Sequence, residues 1–170
     1  MDIIIERRSV RKFDSTKKIS KEDLIDLCKY GESAPSAKNQ KSRAYVIIDD
    51  VDMLKKLSTI SPYTRLLDNA AAAIAVIGTD PSVLSVPQMQ VQDLSAATEN
   101  ILLAATSKNI GSCWLGLYPH EDRVLFSGDY LNVDAPNFVF AIIALGYPEK
   151  EDAFFDANKI KDEIIHYNRW

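Results

Sequence analysis

The sequence predicts a layered α+β fold, and three observations carry that reading. Four apolar segments of strand length, at 44–48, 70–78, 112–117 and 138–145, alternate with segments of helical spacing. The helix between the second and third strands has an apolar stripe too wide for a surface helix. At 170 residues, 46% apolar and 26% charged, the chain suits one compact domain over 1–170 with its own core. The bare order helix, strand, helix, strand would also suit a small doubly wound fold.

Taken in order, Ser20 and Asp23 form a capping-box-like start, and Leu24, Leu27 and Cys28 then share one face. The spacing predicts a helix from Ser20 to Ser33, ended by Pro35. Ala44 to Ile48 reads as a buried strand, and Val51 to Leu57 as a short helix starting near Asp50. Ala70 to Gly78 is ambiguous by composition, but its polar, Gly- and Pro-containing flanks favour a second buried strand. The longest helix runs from Pro87 to Lys108, with Leu94, Ala97, Ile101, Ala104 and Ala105 as its stripe and Ala96 and Leu103 widening it. Asn109 and Gly111 supply the stop. Ser112 to Leu117 and Phe138 to Leu145 are the last strands, with a helix from Glu121 to Leu131 between them. The tail from Glu149 carries Phe154, Phe155, Ile160, Ile164, Ile165 and Trp170, too much apolar surface for a disordered segment.

Charge and composition exclude several classes. Net charge is −4 with both signs interspersed, so no basic face for nucleic acid is expected. No apolar run approaches the roughly 18 residues needed to span a bilayer. The first residues, with charges flanking Ile3-Ile4-Ile5, do not read as a signal peptide, which makes a cytoplasmic location the default. Cys28 and Cys113 are expected as buried small hydrophobes rather than a disulfide framework. None of the six glycines forms G-x-G-x-x-G. Gly111 and Gly116 have P-loop spacing, but Leu117 and Tyr118 stand where Lys and Ser or Thr are required. His120 and His166 are isolated from other ligating residues, so no metal site is expected.

Three stretches carry candidate chemistry. Arg7-Arg8-Ser9-Val10-Arg11-Lys12 packs four cations and a hydroxyl into six positions, a set suited to phosphate, although alone it would read as a solvated basic turn. Ser33 to Gln40 is a small-residue loop between helix and strand, where Ser36 and Asn39 could meet the edge of a heterocycle. Asn109 to Gly116 brackets a strand-like Ser-Cys-Trp-Leu with two glycines, which lets backbone N–H groups approach a ring. Trp114 itself reads more naturally as core.

In this order the three stretches resemble the nitroreductase family, whose members share Arg-Arg-Ser-x-Arg-x-Phe, Ala-Pro-Ser-x-x-Asn and a Gly-x-Gly-Ser-Cys-Trp-x-Gly-like segment. The matching residues are Arg7 to Phe13, Ala34 to Asn39 and Ile110 to Gly116, and Ala144-Leu145-Gly146-Tyr147-Pro148 matches the family's last core strand. The resemblance implies a central, mostly antiparallel sheet flanked by helices, and a homodimer that exchanges its C-terminal tails. It implies FMN at the dimer interface and NAD(P)H as electron donor. By the same likeness Arg7 and Ser9 bind the FMN phosphate with Arg8 beside them, and Arg11 faces the pyrimidine side of the flavin. Pro35, Ser36, Ala37 and Asn39 line the ring and ribityl chain from the other subunit, while Leu115 and Gly116 approach N5. A tail cation completes the phosphate clamp, with Lys159 foremost and Lys161 and Arg169 as the other candidates. Ser61 to Arg65 is expected near the open face of the flavin.

One departure stands out: Lys41 and Arg43 occupy positions where the family commonly has Gln and Trp. It points to an altered acceptor pocket or dimer surface. The resemblance implies a ping-pong oxidoreductase in which flavin carries the chemistry, without a protein acid–base triad, and small oxidised molecules such as nitroaromatics and quinones accept the electrons. Other redox reactions on the same scaffold (dehalogenation, dehydrogenation, flavin breakdown), a non-catalytic FMN binder and a domain binding some other phosphate are the rival readings.

Overall fold

The structure is a computed structural model that describes residues 2–156 and 164–170. In chain order the regular elements are α1 (Ile3–Glu6), α2 (Lys21–Glu32), β1 (Arg43–Ile48), α3 (Val51–Ser58), β2 (Ala72–Gly78), α4 (Gln90–Ser107), β3 (Gly111–Gly116), α5 (Glu121–Leu131) and β4 (Phe138–Gly146). Local chemistry sets most of their ends. The Ser20 hydroxyl accepts from the Asp23 N–H (3.0 Å) to start α2, and the Asp50 carboxylate accepts from the Met53 N–H (2.8 Å) to start α3. Asn132 closes α5 in the left-handed conformation at φ 54°. The long helix foreseen from Pro87 opens as a separate 3-10 turn, Pro87–Met89, before α4 begins.

The strands pair in the order β1-β2-β4-β3, and every neighbouring pair is antiparallel. That excludes the doubly wound alternative, which needs parallel strands. Helices cover both faces of the sheet. On one face Ala73, Ala75, Cys113, Leu115 and Ile142 pack against Leu54 and Leu57 of α3 and Leu131 of α5. On the other, Ile74, Val76, Ile143 and Leu145 pack against Leu24 and Leu27 of α2 and Leu94, Ile101 and Ala105 of α4. All seven residues of β2 are buried, as expected of an internal strand.

β1 corrects its expectation. It lies at the sheet edge, pairs among the described residues only with β2, and leaves Ala44 and Ile47 exposed. An apolar run reports burial of side chains on average, not the number of neighbouring strands. Cys28 likewise is half-buried rather than buried, though burial still pushes its thiol up to about 11. Both cysteines are free thiols. Among the described residues no helix is long and apolar enough to cross a membrane.

The segment preceding α2 docks across the ends of β3 and β4. Val10 donates its N–H to the Ser112 carbonyl (2.9 Å), Asp14 donates to Tyr147 (2.9 Å), and Glu149 donates back to Lys12 (3.2 Å). Two glycines make room for it. A Cβ on Gly111 would meet Val10 at 2.8 Å, and one on Gly146 would meet Phe13 at 2.8 Å. Val10 and Phe13 therefore face inward while Ser9, Arg11 and Lys12 remain exposed. In the tail, Ala153 and Phe154 pack against the core, whereas Ile164, Ile165, Tyr167 and Trp170 are exposed. Ile160, Lys159 and Lys161 lie outside the described residues.

Candidate functional site

β3 is the other edge strand, and its free side forms the floor of the site. Because the Ser112 carbonyl accepts from Val10, the backbone groups of Ser112 point away from β4, and strand alternation turns those of Trp114 and Gly116 the same way. Val10 occupies only the first of these positions, through the parallel bridge at Ser9–Ser112. Beyond it opens a cavity of about 450 Å³, lined by Arg11, Leu115 and Gly116, by the Ser61–Thr64 turn and Leu66, and by Arg123.

Gly116 is exceptional among the glycines. A Cβ there would meet nothing within 4 Å, and no glycine of the chain has a positive φ. Gly31, Gly78, Gly111 and Gly146 each have a neighbour within 3.0 Å of that position. Neither packing nor backbone conformation requires glycine at 116, while a ligand that lies against the strand would require it. The Cys113 thiol, on the same strand, is pushed up by burial, with Arg11 acting in the opposite direction. The upward direction favours the protonated thiol over the thiolate. Trp114, half-buried, packs against the opposite layer with its ring 5.9 Å from that of Phe140, although the residue also borders the cavity.

Arg11 joins this cavity to a smaller one of about 200 Å³ bordered by Arg8, Ser9, Lys12 and Pro148. Arg8 packs over the Phe155 ring at 4.8 Å and donates through Nη1 to the Arg7 carbonyl, while its Nε and Nη2 are buried with no partner among the described residues. Unpaired guanidinium donors are costly, and an anion would satisfy them. Arg7 points toward α4, where its Nε meets Glu99 at 2.9 Å. That pair is partly exposed and adds little stability. Arg11 donates to the Ser9 carbonyl at 3.2 Å.

Pro35, Ser36, Ala37 and Asn39 do not line the Gly116 cavity of their own chain. They form a loop whose shape is set from both ends. Lys38, Asn39 and Lys41 all have positive φ (48°, 53° and 46°), a conformation that side chains resist. Asp93 of α4, 5% exposed, holds the loop by accepting from the Ala37 N–H (2.9 Å), Gln40 Nε2 (2.7 Å) and the Ser42 hydroxyl (3.2 Å). Arg43 closes the other end. Its buried guanidinium donates to the carbonyls of Glu32 (2.7 Å) and Ala34 (2.6 Å) and meets the Glu32 carboxylate at 3.2 Å.

Arg43 thus lines no part of the Gly116 cavity; it braces the loop from inside, and Lys41 pairs with Glu32 at 3.6 Å on the surface. Of the Ser61 to Arg65 segment, the first four residues line the cavity, and Arg65 turns instead to a neighbouring cavity beside Asp68. Sequence reading missed Asp93 and Arg123. We expect Asp93→Asn to lower stability by about 2–3 kcal/mol, because its new amide would face the donor of Gln40 or of Ala37. Gln40 cannot turn over without losing the bond its Oε1 accepts from Val86 (2.9 Å). Urea unfolding checks this, with a lowered midpoint expected at unchanged slope.

Comparison with known proteins agrees with this geometry. The model of the "Nitroreductase family" matches residues 4–89 and 65–147. A protein of Archaeoglobus fulgidus named "Putative NADH dehydrogenase/NAD(P)H nitroreductase" is 41% identical over 172 residues, covering 100% of this chain and 98% of its own. A solved structure from Clostridium acetobutylicum, named "Putative NADH Oxidase", superposes with a TM-score of 0.93 at 34% identity, covering 99% of this chain and 100% of that one. An "FMN-dependent Nitroreductase" from Clostridium difficile superposes with a TM-score of 0.88 at 26% identity, covering 99% and 98%. The chain belongs to the nitroreductase family and is an oxidoreductase.

Proposed function

We propose that the chain binds FMN against the outer edge of β3 and passes electrons from NAD(P)H to small oxidised acceptors such as nitroaromatics and quinones. The observation that carries this reading is Gly116: its missing Cβ leaves open a strand edge that none of the described residues fills. FMN, when bound, supplies the redox chemistry, accepting hydride from the donor and giving electrons to the acceptor in turn.

The residues of the chain bind and tune. Outward backbone groups of Trp114 and Gly116 would hold the edge of the heterocycle beside Leu115. Arg11, the cation shared by both cavities, offsets negative charge on the reduced pyrimidine. Arg8, with two donors unpartnered among the described residues, and Ser9 border the cavity suited to phosphate, which Glu149 and Asp152 also line, whereas Arg7 lines neither cavity and would join them by leaving its Glu99 pair. Pro35, Ser36, Ala37 and Asn39 serve the flavin of a second copy of the chain, which fits their absence from the cavity of their own. The homodimer would also cover the exposed Ile164, Ile165 and Trp170. Dependence on NAD(P)H goes with a cytoplasmic site of action.

Arg7→Ala and Ser9→Ala are each expected to weaken FMN binding about tenfold or more, through loss of charge-assisted phosphate bonds of roughly 1.5–3 kcal/mol. Quenching of FMN fluorescence on titration measures this, and unchanged affinity in both variants would refute the phosphate assignment. Light scattering of the FMN-loaded protein should give a dimer; a monomer retaining FMN would contradict the two-chain site.

A further inference from the structure

The Arg123 side chain has no hydrogen-bond or ion-pair partner among the described residues. It sits half-buried in the first turn of α5 and lines the Gly116 cavity. Glu121 and Asp122 share its turn, yet neither pairs with it. The start of a helix carries partial positive charge, so a cation there is disfavoured unless an anion answers it. A second observation points the same way. Ser61, on another wall of the same cavity, has a hydroxyl oxygen that is buried with no partner among the described residues. Beside these two polar groups stand Pro62, Tyr63 and Leu66, an apolar wall for a flat molecule.

We propose that Arg123, assisted by the Ser61 hydroxyl, binds an anionic substituent such as a carboxylate or sulfonate on the aromatic acceptor, and so selects anionic over neutral acceptors. This inference rests on the proposed function, since it assigns the part of the site that receives the acceptor. Arg11 does not substitute for Arg123: it contacts the Ser9 carbonyl and borders both cavities, whereas Arg123 borders only the larger of the two. A phosphate of NAD(P)H or of FMN presents the same charge to a guanidinium, so the experiment must separate three ligands.

The oxidised, FMN-loaded protein is titrated by calorimetry with 4-nitrobenzoate and with 4-nitrobenzamide, which match in shape and differ by one charge. The native chain is expected to bind the carboxylate about tenfold more tightly than the amide. Arg123→Gln should abolish that preference, and Arg123→Lys should retain part of it, because the charge survives and the planar fork does not. FMN affinity should stay within about twofold in both variants, and KM for NADH and NADPH should be unchanged. Equal binding of the two probes to native protein, or a preference that survives Arg123→Gln, overturns the proposal. So does a variant that loses FMN or raises KM for the donor instead, which would assign Arg123 to a cofactor phosphate. Failure of the native protein to hold FMN would overturn the proposed function and this inference with it. Equal binding of the two probes to a native protein that holds FMN and is reduced by the donor counts against Arg123 alone.

Discussion

Replacing Gly116 with valine should abolish FMN binding while leaving the protein folded. The new side chain enters space in which nothing lies within 4 Å of its Cβ, and no glycine of the chain depends on a positive φ. Valine is also a better strand former than glycine, so the melting temperature should stay within about 2 °C of native or rise. A flavin held against the outer edge of β3 would meet two methyl groups where it now meets open backbone, and FMN affinity should fall about 100-fold or more. Paired thermal melts and FMN titrations separate the two effects. A variant that binds FMN normally would place the flavin elsewhere. The same exchange at Gly146 is a useful contrast: Phe13 stands 2.8 Å from the would-be Cβ, so there the fold itself should suffer.

The second large effect is expected at Arg43. Arg43→Met keeps the apolar stem but leaves the Glu32 and Ala34 carbonyls without their charged donor. Each lost bond to a charged group is worth about 1.5–3 kcal/mol, so a destabilisation of about 3–5 kcal/mol is expected, or roughly 10 °C in melting temperature. The Glu32 carboxylate is partly exposed and adds little to this sum. Arg43→Lys should recover only a fraction, since one ammonium cannot reproduce a guanidinium whose Nη2 donates to both carbonyls while its Nε meets the Glu32 carboxylate. A loss under about 1 kcal/mol in Arg43→Met would show that the loop keeps its shape without the clamp.

Much of the fold was legible because its signals are local. Ser20 and Asp50 start their helices as capping chemistry predicts, and α5 runs from Glu121 to Leu131 as its spacing indicates. What local pattern could not supply was the pairing of strands. An apolar run at Ala44–Ile48 looks the same whether the strand has one neighbour or two, and β1 has one. The choice between antiparallel and doubly wound sheets likewise depends on connections between distant segments.

At the site, the ordered motifs brought Arg11, Leu115 and Gly116 into one cavity and Arg8 and Ser9 into the next. Arg43 was visible as a departure from the family pattern, but its work inside the loop needed the structure. Asp93 left a faint signal. It lies four residues before Ala97 and eight before Ile101, on the apolar stripe of α4, where a carboxylate must have buried partners. Arg123 left none, since a cation on an amphipathic helix is ordinary until the cavity beside it is known.

The central claim is most directly tested by the absorbance spectrum of the purified protein supplied with FMN, recorded before and after anaerobic addition of NADH or NADPH. The account predicts protein-bound flavin bands that bleach with the donor and return when a nitroaromatic or quinone is added. Bands that persist with both donors would contradict electron transfer from NAD(P)H, and a protein that retains no flavin would contradict the site itself.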